Sequence, residues 1–382
     1  MRVLHVISDQ NVGGAGVLLT TLLRNFDPAR VQSCVGLPKG SELIPRLENL
    51  GVPVTELNFA CDRVSAKSVK EICQLLRQSG SELLHANAAL SARIAGKLCG
   101  IPVLHTRHCC FPPSGVYRVP LLRSAGGLCN RALSDRVIAT ADAAAENLRR
   151  LGIPPKKISV IINGSEPIRT VSPDELASLR AQLNLRKDDY PVGICARLEP
   201  YKGHETFLRA ASMASRRMPH IPFRFLIVGS GSQHAELEAL AKALHMQEQV
   251  RFTGFVTDMA PIYRLLRVNV NCSTGTETSC LAISEGMSAA LPTVASDYGG
   301  NRAMIGDGKA GILFPAGDAH ALADAICRIA SDCNLESAMK RSALERFENC
   351  FTAKKMTDQV TAVYESTLKQ ASKTLQKPSK TV

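Results

Sequence analysis

The chain has 382 residues, which is longer than a single hydrophobic core usually serves. Its hydrophobic content of 45% is enough for two hydrophobic cores. It contains no run of about 18 apolar residues, so a membrane-spanning helix is not expected, and its N-terminus becomes polar too early for a signal peptide. Thirteen scattered cysteines without a Cys-x-x-Cys pair are typical of a reduced, cytoplasmic protein.

The net charge of +12 is concentrated in residues 1–170, which hold 21 Lys and Arg against 12 Asp and Glu. Nucleic acid or an anionic membrane surface would both suit this excess, and a basic composition without any partner gives the same pattern. Aromatic residues make up only 4% of the chain and do not cluster with arginines, which disfavours nucleic acid. A cytoplasmic protein that can lie on the inner face of the membrane is therefore expected.

The first half alternates short apolar runs with amphipathic segments, a pattern that predicts parallel strands joined by helices. Strands are predicted at residues 3–8, 31–36, 52–57, 83–85, 103–106, 136–139 and 158–162, and helices at 17–24, 41–50, 66–77, 89–98 and 143–151. A glycine-rich turn at residues 11–16 precedes the first helix, and its Gly14 and Gly16 would let a phosphate approach the backbone. The spacing is not that of a dinucleotide fingerprint, because Leu19 stands where the third glycine would be.

Two histidines lie at or just past the ends of predicted strands, where parallel sheets bind ligands. His85 is as consistent with a structural role as with a functional one, whereas His108 is favoured as functional. Residues 111–134 mix Pro, Gly, Arg and apolar residues, which suits a membrane-facing or acceptor-facing segment and equally a surface loop.

A polar linker at residues 165–175 leads into a second alternating set. Strands are predicted at residues 192–196, 225–228, 250–255 and 268–272, and helices at 175–183, 233–244 and 319–330. One or two further helices are predicted within residues 337–364. The first of these strands ends at Arg197, and Lys202 follows on the same loop. These cations are able to straddle a pyrophosphate, the first as a planar fork and the second as a point charge. The alternative is that both are solvated. The turn at Gly229 and Gly231 is predicted to lie beside a phosphate or ribose.

Residues 271–300 hold two carboxylates eight positions apart, Glu277 and Glu285. A helix is predicted from Leu281 to Met287, with Thr278 or Ser279 as its N-cap, followed by a buried strand at residues 293–296. The loop before this helix offers unpaired backbone N–H groups to an anion, and carboxylates accept hydrogen bonds from sugar hydroxyls. Taken singly, each acid is more readily interpreted as a solvated one, since most glutamates in proteins are exposed.

These motifs together resemble retaining glycosyltransferase family 4. The matching segments are R-L-x-x-x-K-G at 197–203, E-x7-E at 277–285, S-D-Y-G-G-N-R-A-M-I-G-D-G at 296–308 as a strand and glycine-rich turn, and T-x-H at 106–108. The resemblance implies an α/β fold of the GT-B type, two Rossmann-like doubly wound parallel-sheet domains facing each other across a cleft. It implies an acceptor-binding domain at 1–170, onto which a helix at about 352–366 packs, and a donor-binding domain at 171–351. The basic tail at 367–382 is expected to be disordered.

The resemblance also implies roles for single residues. Glu277 would bond the transferred sugar, Glu285 the ribose, and His108 the sugar near the reacting carbon, whereas Arg197 and Lys202 would hold the diphosphate. The remaining donor-binding residues would be Gly14, Gly16, Gly229, Gly231, Phe255, Thr278, Ser279, Cys280 and Leu281. Two departures from the family pattern are visible: Thr278-Ser279-Cys280 stands where Gly-Phe-Gly is usual, and Gly16 where an acid is common.

The implied activity is retaining transfer of a hexose or N-acetylhexosamine from a nucleotide diphosphate sugar, in the first place a UDP-sugar. The acceptor would be a glycan or a lipid-linked molecule in cell-surface polysaccharide or glycolipid assembly. No Asp-x-Asp lies on a strand-end loop, so catalysis without metal or cofactor is predicted, with fixed cations and helix N-termini stabilising the leaving group. The alternatives are a relative with another reaction, such as an epimerase, and a non-catalytic binding module.

Overall fold

The structure is a computed structural model that describes residues 1–10, 13–58, 64–87, 89–108 and 127–375. It divides into two compact units, Met1–Gly164 with the chain from Ala353 onward, and Ser165–Thr352. The first stretch of the first unit therefore ends at Gly164 rather than at residue 170. Each unit is built around its own parallel sheet.

The sheet of the first unit has seven parallel strands in the order β3-β2-β1-β4-β5-β6-β7. Its strands are β1 Arg2–Ile7, β2 Gln32–Pro38, β3 Val54–Leu57, β4 Leu83–Asn87, β5 Val103–Arg107, β6 Arg136–Ala139 and β7 Ile158–Val160. The helices that connect them include α1 Gly14–Asn25, α2 Ile44–Glu48, α3 Ala66–Ser79, α4 Leu90–Leu98 and α5 Asp142–Arg150. The apolar runs are buried on both sheet faces, as parallel strands require.

The sheet of the second unit has six parallel strands in the order β10-β9-β8-β11-β12-β13. Its strands are β8 Tyr190–Cys195, β9 Phe223–Val228, β10 Val250–Gly254, β11 Val268–Asn271, β12 Thr293–Ser296 and β13 Gly311–Phe314. Its helices are α6 Pro173–Gln182, α7 His204–Arg217, α8 His234–Ala243, α9 Ala260–Leu265, α10 Leu281–Ser288, α11 Asn301–Ile305, α12 Ala319–Ser331 and α13 Cys333–Arg346. The predicted class, two doubly wound parallel-sheet α/β units, is confirmed.

Four of these elements were not predicted from the sequence, namely α7, α9, α11 and β13. The short ones, α9, α11 and β13, have four to six residues, which is too short for a periodic pattern to separate from a turn. Helix α11 lies where a glycine-rich turn was expected after β12, so that prediction is wrong in part.

The last helix, α14 Ala353–Leu375, belongs to the first unit. Met356, Val360 and Tyr364 are buried in the core of that unit, and Leu368 packs against it one turn later. This spacing of four residues forms a continuous apolar stripe along the helix. The expectation of a disordered tail from residue 367 is therefore wrong as far as residue 375, and residues 376–382 lie outside the described part.

Both sheets reverse their strand order at one point, between β1 and β4 in the first unit and between β8 and β11 in the second. On either side of such a point the connecting helices cover opposite faces, so that the carboxyl ends of the two strands leave a crevice for a ligand. Cys195 ends β8 and Asn271 ends β11. The loops that carry the candidate residues of the second unit follow these two positions.

No helix within the described ranges combines enough length and apolar character to cross a bilayer.

His85 proves to be a structural histidine. It pairs with His5 across β1 and β4, is buried, and makes two hydrogen bonds of 2.6 Å, one to the Tyr364 hydroxyl and one to the Thr106 hydroxyl. Burial lowers the pKa of His5 to about 3 and that of His85 well below its usual range. Both imidazoles are therefore neutral in the folded protein at physiological pH.

These buried histidines predict that acid destabilises the protein well before its carboxylates protonate. The unfolded chain binds protons below about pH 6.5, whereas His5 in the folded state stays neutral down to about pH 3, so stability falls as pH falls through this window. We expect a loss on the order of 1 kcal/mol per histidine per pH unit, measured by urea unfolding between pH 7.5 and 5.5. His5→Phe should make this dependence shallower, whereas the same change at the exposed His220 should not. An equal slope in all three proteins contradicts the prediction.

Candidate functional site

The loop after β8 brings Arg197 and Lys202 to the strand-order reversal of the second unit. It contains a short 3-10 helix, Pro200–Lys202, and ends at Gly203. Gly203 has φ +71°, and a Cβ there would lie 2.2 Å from the Cys272 carbonyl oxygen. Only glycine permits so close an approach, and the loop is thereby held against the end of β11.

Tyr201 lies between the two cations of this loop. The Arg197 guanidinium donates a hydrogen bond to the Tyr201 hydroxyl, and the Lys202 ammonium lies 5.6 Å from the centre of the same ring. Arg197 remains exposed, whereas only 17% of the Lys202 side chain is exposed. One cation is thus presented to solvent and the other is held within the protein.

Lys202 and Glu277 form a buried ion pair, with 2.7 Å between Nζ and Oε2. Only 8% of the Glu277 side chain is exposed, and the Ser273 hydroxyl donates to the same oxygen at 2.6 Å. Burial lowers the pKa of Lys202, but the charge and hydrogen bond of Glu277 together with the effects of Cys280 and Tyr201 outweigh it, so the pKa is raised overall. Neither residue is a solvated surface charge, and the alternative interpretation of the sequence fails for both.

A buried polar network holds the loop that carries Glu277. The Asn301 amide donates to Asn271 Oδ1 at 3.0 Å and to the Ser296 carbonyl at 3.1 Å. The Ser296 hydroxyl donates to the Ser273 carbonyl at 2.6 Å. These bonds connect the ends of β11 and β12 with α11. The sequence predicts no role for any of the four residues, although Ser296 and Asn301 stand in the motif at 296–308, because short polar side chains after a strand look like ordinary loop residues.

The start of α10 differs from the prediction. Its N-cap is Cys280, without a side-chain cap, so neither Thr278 nor Ser279 caps the helix, although both are buried. The Cys280 amide donates to Met304 Sδ at 3.2 Å, and Asn271 Nδ2 donates to Cys280 Sγ at 3.1 Å. Burial raises the pKa of the Cys280 thiol to about 12. The amide of Cys280 is therefore committed within the protein rather than offered to an anion.

Glu285 lies just over one turn into α10, whose first residue is Leu281. The hydroxyl of Tyr263 on α9 donates to Glu285 Oε2 at 2.9 Å. Burial raises the pKa of Glu285 to about 7, and the hydrogen bond from Tyr263 acts in the opposite direction. The carboxyl group thus titrates near neutral pH. No sequence motif includes Tyr263, because a buried tyrosine in a short helix gives no signal in the sequence.

The turn after β9 packs on the Arg197 loop. Gly229 has φ +139°, and a Cβ there would lie 2.1 Å from the Ala196 carbonyl oxygen. A Cβ on Gly231 would lie 2.5 Å from the Leu198 carbonyl oxygen. Both glycines are required for this close packing. Phe255, which follows β10, is 65% exposed.

The candidate residues of the first unit lie at the ends of its own strands. His108 follows β5, and its Nε2 lies 2.9 Å from Asn87 Oδ1 at the end of β4. Burial, with a smaller effect of Arg107, lowers the pKa of His108 to about 4, so the imidazole is neutral. Residues 109–126, most of the segment interpreted as membrane-facing or acceptor-facing, lie outside the described part.

The predicted glycine-rich turn ends earlier than expected. Gly13 is the N-cap of α1 and Gly14 its first residue, whereas residues 11 and 12 lie outside the described part. Gly16 is buried inside the helix, where a Cβ would lie 2.7 Å from Leu43 Cδ2. Gly16 is therefore a packing residue of α1 rather than part of a turn, and that part of the prediction is wrong.

Within the ranges that the structure describes, no group of three or more His, Cys, Asp and Glu side chains is arranged to hold a metal ion.

Comparison with known protein families identifies the family of this chain. The family model "Glycosyltransferase Family 4" matches residues 12–168, and "Glycosyl transferases group 1" matches residues 190–332. The chain belongs to glycosyltransferase family 4. The expected family and the expected enzyme class, a glycosyltransferase, are thus confirmed.

Among curated proteins, this glycosyltransferase is 30% identical to the putative glycosyltransferase EpsD of Bacillus subtilis over 60% of each chain. It is 24% identical to a D-inositol 3-phosphate glycosyltransferase of Kribbella flavida over 88% of this chain and 86% of the relative. A solved structure of Anabaena HepE in complex with UDP-glucose has the same fold, with a TM-score of 0.84 and 22% identity. That match covers 96% of this chain and all of HepE.

The buried pair predicts an asymmetry in stability. Lys202→Met alone leaves Glu277 buried opposite an apolar side chain, and should reduce the free energy of unfolding by roughly 3 kcal/mol. Adding Glu277→Gln removes the unpaired charge and should recover much of this loss. Urea unfolding of Lys202→Met, of Glu277→Gln and of the double variant checks the difference. A double variant as unstable as the sum of both single variants would show that the pair is not coupled.

Proposed function

We propose that this glycosyltransferase is retaining and independent of metal ions, and that it transfers a hexose or N-acetylhexosamine from a UDP-sugar. The observation that carries the proposal is the grouping of Arg197, Lys202 and Glu277 at the strand-order reversal of the second unit. Two cations and a carboxylate at one point suit a ligand that bears both a diphosphate and sugar hydroxyls.

The diphosphate would be held by the two cations of the loop after β8. Arg197 is exposed, and its planar guanidinium is able to pair with two phosphate oxygens at once. Lys202 has its ammonium fixed by Glu277 at 2.7 Å, so its position is set before the ligand binds. Fixed cations stabilise the charge that develops on a departing diphosphate without reorganising during the reaction.

The two carboxylates would divide the hydroxyls of the donor between them. Glu277 would accept hydrogen bonds from the transferred sugar, and Glu285 from the ribose. They lie on successive parts of one segment, the first before α10 and the second within it. Gly229, Gly231, Phe255, Thr278, Ser279, Cys280 and Leu281 are proposed to line the donor site around them, and Gly14 stays a proposed donor-binding residue of the first unit.

Retention of the anomeric configuration results either from two inversions through a covalent intermediate or from attack on the face that the diphosphate leaves, and we propose the second route. The bond from the anomeric carbon to the phosphate oxygen breaks, the bond to the acceptor oxygen forms on the same face, and the acceptor proton passes to the departing phosphate oxygen. His108 would contact the sugar rather than act as the base. Its pKa of about 4, which burial lowers, leaves it a neutral group that donates and accepts hydrogen bonds.

The donor and acceptor classes are supported by the relatives and by charge. HepE has been solved with UDP and with UDP-glucose. Residues 1–170 carry most of the net positive charge, which suits a lipid-linked acceptor with phosphate groups or a glycan at an anionic membrane surface. We therefore propose that the enzyme acts in the cytoplasm, in cell-surface polysaccharide or glycolipid assembly.

Turnover and nucleotide binding should depend on different residues. Arg197→Ala and Lys202→Ala should each lower kcat by about a hundredfold or more, because each removes a fixed positive group from the leaving diphosphate. Glu285→Ala should mainly weaken UDP binding, measured by calorimetry. Arg216→Ala, which removes an exposed arginine at the far end of α7, is the matched control. Unchanged turnover in both cation variants would refute the site.

The same measurements separate the alternative functions. Purified protein should hydrolyse a UDP-sugar slowly without an acceptor and should be stabilised against heat by UDP. Stabilisation without turnover in any acceptor mixture would indicate a binding module, and conversion of one sugar nucleotide into another would indicate an epimerase.

Removing divalent metal ions should change little. The proposal assigns the stabilisation of the diphosphate to Arg197 and Lys202, so donor hydrolysis after dialysis against EDTA should remain within about twofold of the untreated rate. Loss of activity in EDTA that added Mg²⁺ or Mn²⁺ restores would overturn metal independence and leave the family assignment intact.

A further inference from the structure

We propose that Tyr263 is a positioning residue for the nucleotide, whose hydroxyl orients the Glu285 carboxylate toward the ribose hydroxyls of the donor. This inference rests on the proposed function, in which Glu285 bonds the ribose. It assigns a role to a side chain on a different helix, one that the sequence motifs do not include.

Packing fixes the position of the donor in this hydrogen bond, the Tyr263 hydroxyl. Tyr263 is 1% exposed, and its ring packs with Leu226, Ile262 and Leu291 in an apolar cluster of the second unit. A ring packed in this way has little freedom to rotate. Its hydroxyl, 2.9 Å from Glu285 Oε2, is therefore a fixed donor on α9 that reaches across to α10.

The bond engages one oxygen of the carboxylate and leaves the other available. In the part of the chain that the structure describes, Oε2 of Glu285 accepts from Tyr263 and Oε1 has no protein partner. A carboxylate held by one oxygen presents the second in a defined direction. Oε1 is then the acceptor for a ribose hydroxyl.

The groups around Glu285 are neutral. Tyr263 faces it from α9 and Cys195 from the end of β8, and Cys280 lies next to both of these. Burial raises the pKa of each of the three, that of Cys280 to about 12. Since none of them carries a positive charge, the Tyr263 hydroxyl is what favours the ionised carboxylate over the protonated acid.

Removing the hydroxyl has two linked consequences. The pKa of Glu285, already raised to about 7 by burial, should rise further, so that more of the acid is protonated at neutral pH. Without its donor the group is also free to rotate, and a ribose hydroxyl loses a directed acceptor. The first effect vanishes once the pH is high enough to ionise Glu285, whereas the loss of direction persists at every pH.

The test compares UDP with 2′,3′-dideoxy-UDP, which lacks the ribose hydroxyls. Both ligands titrate alike at the phosphate. The dissociation constant of the dideoxy analogue divided by that of UDP therefore reports on the ribose contact alone. In the unaltered protein we expect this ratio to rise across pH 7 as Glu285 ionises. In Tyr263→Phe this ratio should be about tenfold lower than in the unaltered protein at pH 7. Near pH 9, where Glu285 is ionised in both proteins, the ratio should recover only in part, because the carboxylate is still not held in one direction.

Tyr190→Phe is the matched control. Tyr190 is a buried tyrosine of the same unit that donates to Glu336 Oε2 at 3.1 Å, so its loss removes the same kind of bond away from the ligand. It should lower thermal stability without changing the ratio. If Tyr263→Phe and Tyr190→Phe behave alike in the ratio at every pH, Tyr263 has a structural role only and the inference fails.

Two further variants keep the inference and the proposed function apart. Glu285→Ala should abolish the preference for UDP over the dideoxy analogue; if the preference survives, Glu285 does not contact the ribose and the proposed function fails at this residue. Glu285→Gln should bind both ligands with a ratio independent of pH. This result is available even where Tyr263→Phe folds poorly, and a ratio that still changes across pH 7 in Glu285→Gln overturns the inference.

Discussion

The site of the second unit depends on one buried ion pair. Lys202 follows β8 and Glu277 follows β11, which are far apart in the chain but adjacent in the sheet. The pair therefore exists only in the folded topology. Desolvating two charges is costly unless they meet in good geometry with further hydrogen bonds. The contact at 2.7 Å supplies the geometry, and the Ser273 hydroxyl supplies a further hydrogen bond. The close packing of Gly203 and Gly299 against backbone atoms holds the two loops where the pair forms.

The two carboxylates of one short segment have different partners. Glu277 is matched by a full positive charge, whereas Glu285 is matched by the neutral hydroxyl of Tyr263. The first arrangement fixes the position of a cation. The second leaves a carboxyl group whose pKa burial raises to about 7, so its hydrogen-bonding character changes with pH in the physiological range. One sequence motif thus contains two acids with distinct electrostatic properties.

The sequence was informative where a pattern extends over many residues or where a motif is family-specific. Alternating apolar runs predicted the parallel strands, and the motifs around Arg197 and Glu277 predicted two loops that the structure brings into contact through Lys202 and Glu277. The sequence was silent where partners are distant. Tyr263 bonds Glu285 and Asn301 bonds Asn271, partners 22 and 30 residues away in the chain, and no local spacing reveals them. The extent of α1 was misjudged because glycine suggests a turn, whereas Gly16 serves helix packing against Leu43.

The second unit is inserted into the first. Its two ends meet, since the Ser165 amide donates to the Phe351 carbonyl at 2.9 Å, and the chain then returns to the first unit as α14. Because Met356, Val360 and Tyr364 belong to the apolar core that includes residues of β1 and α1, this core is complete only after a ribosome has translated the whole inserted unit. The inserted unit is continuous in the chain, so all of its own residues emerge before those of the last helix.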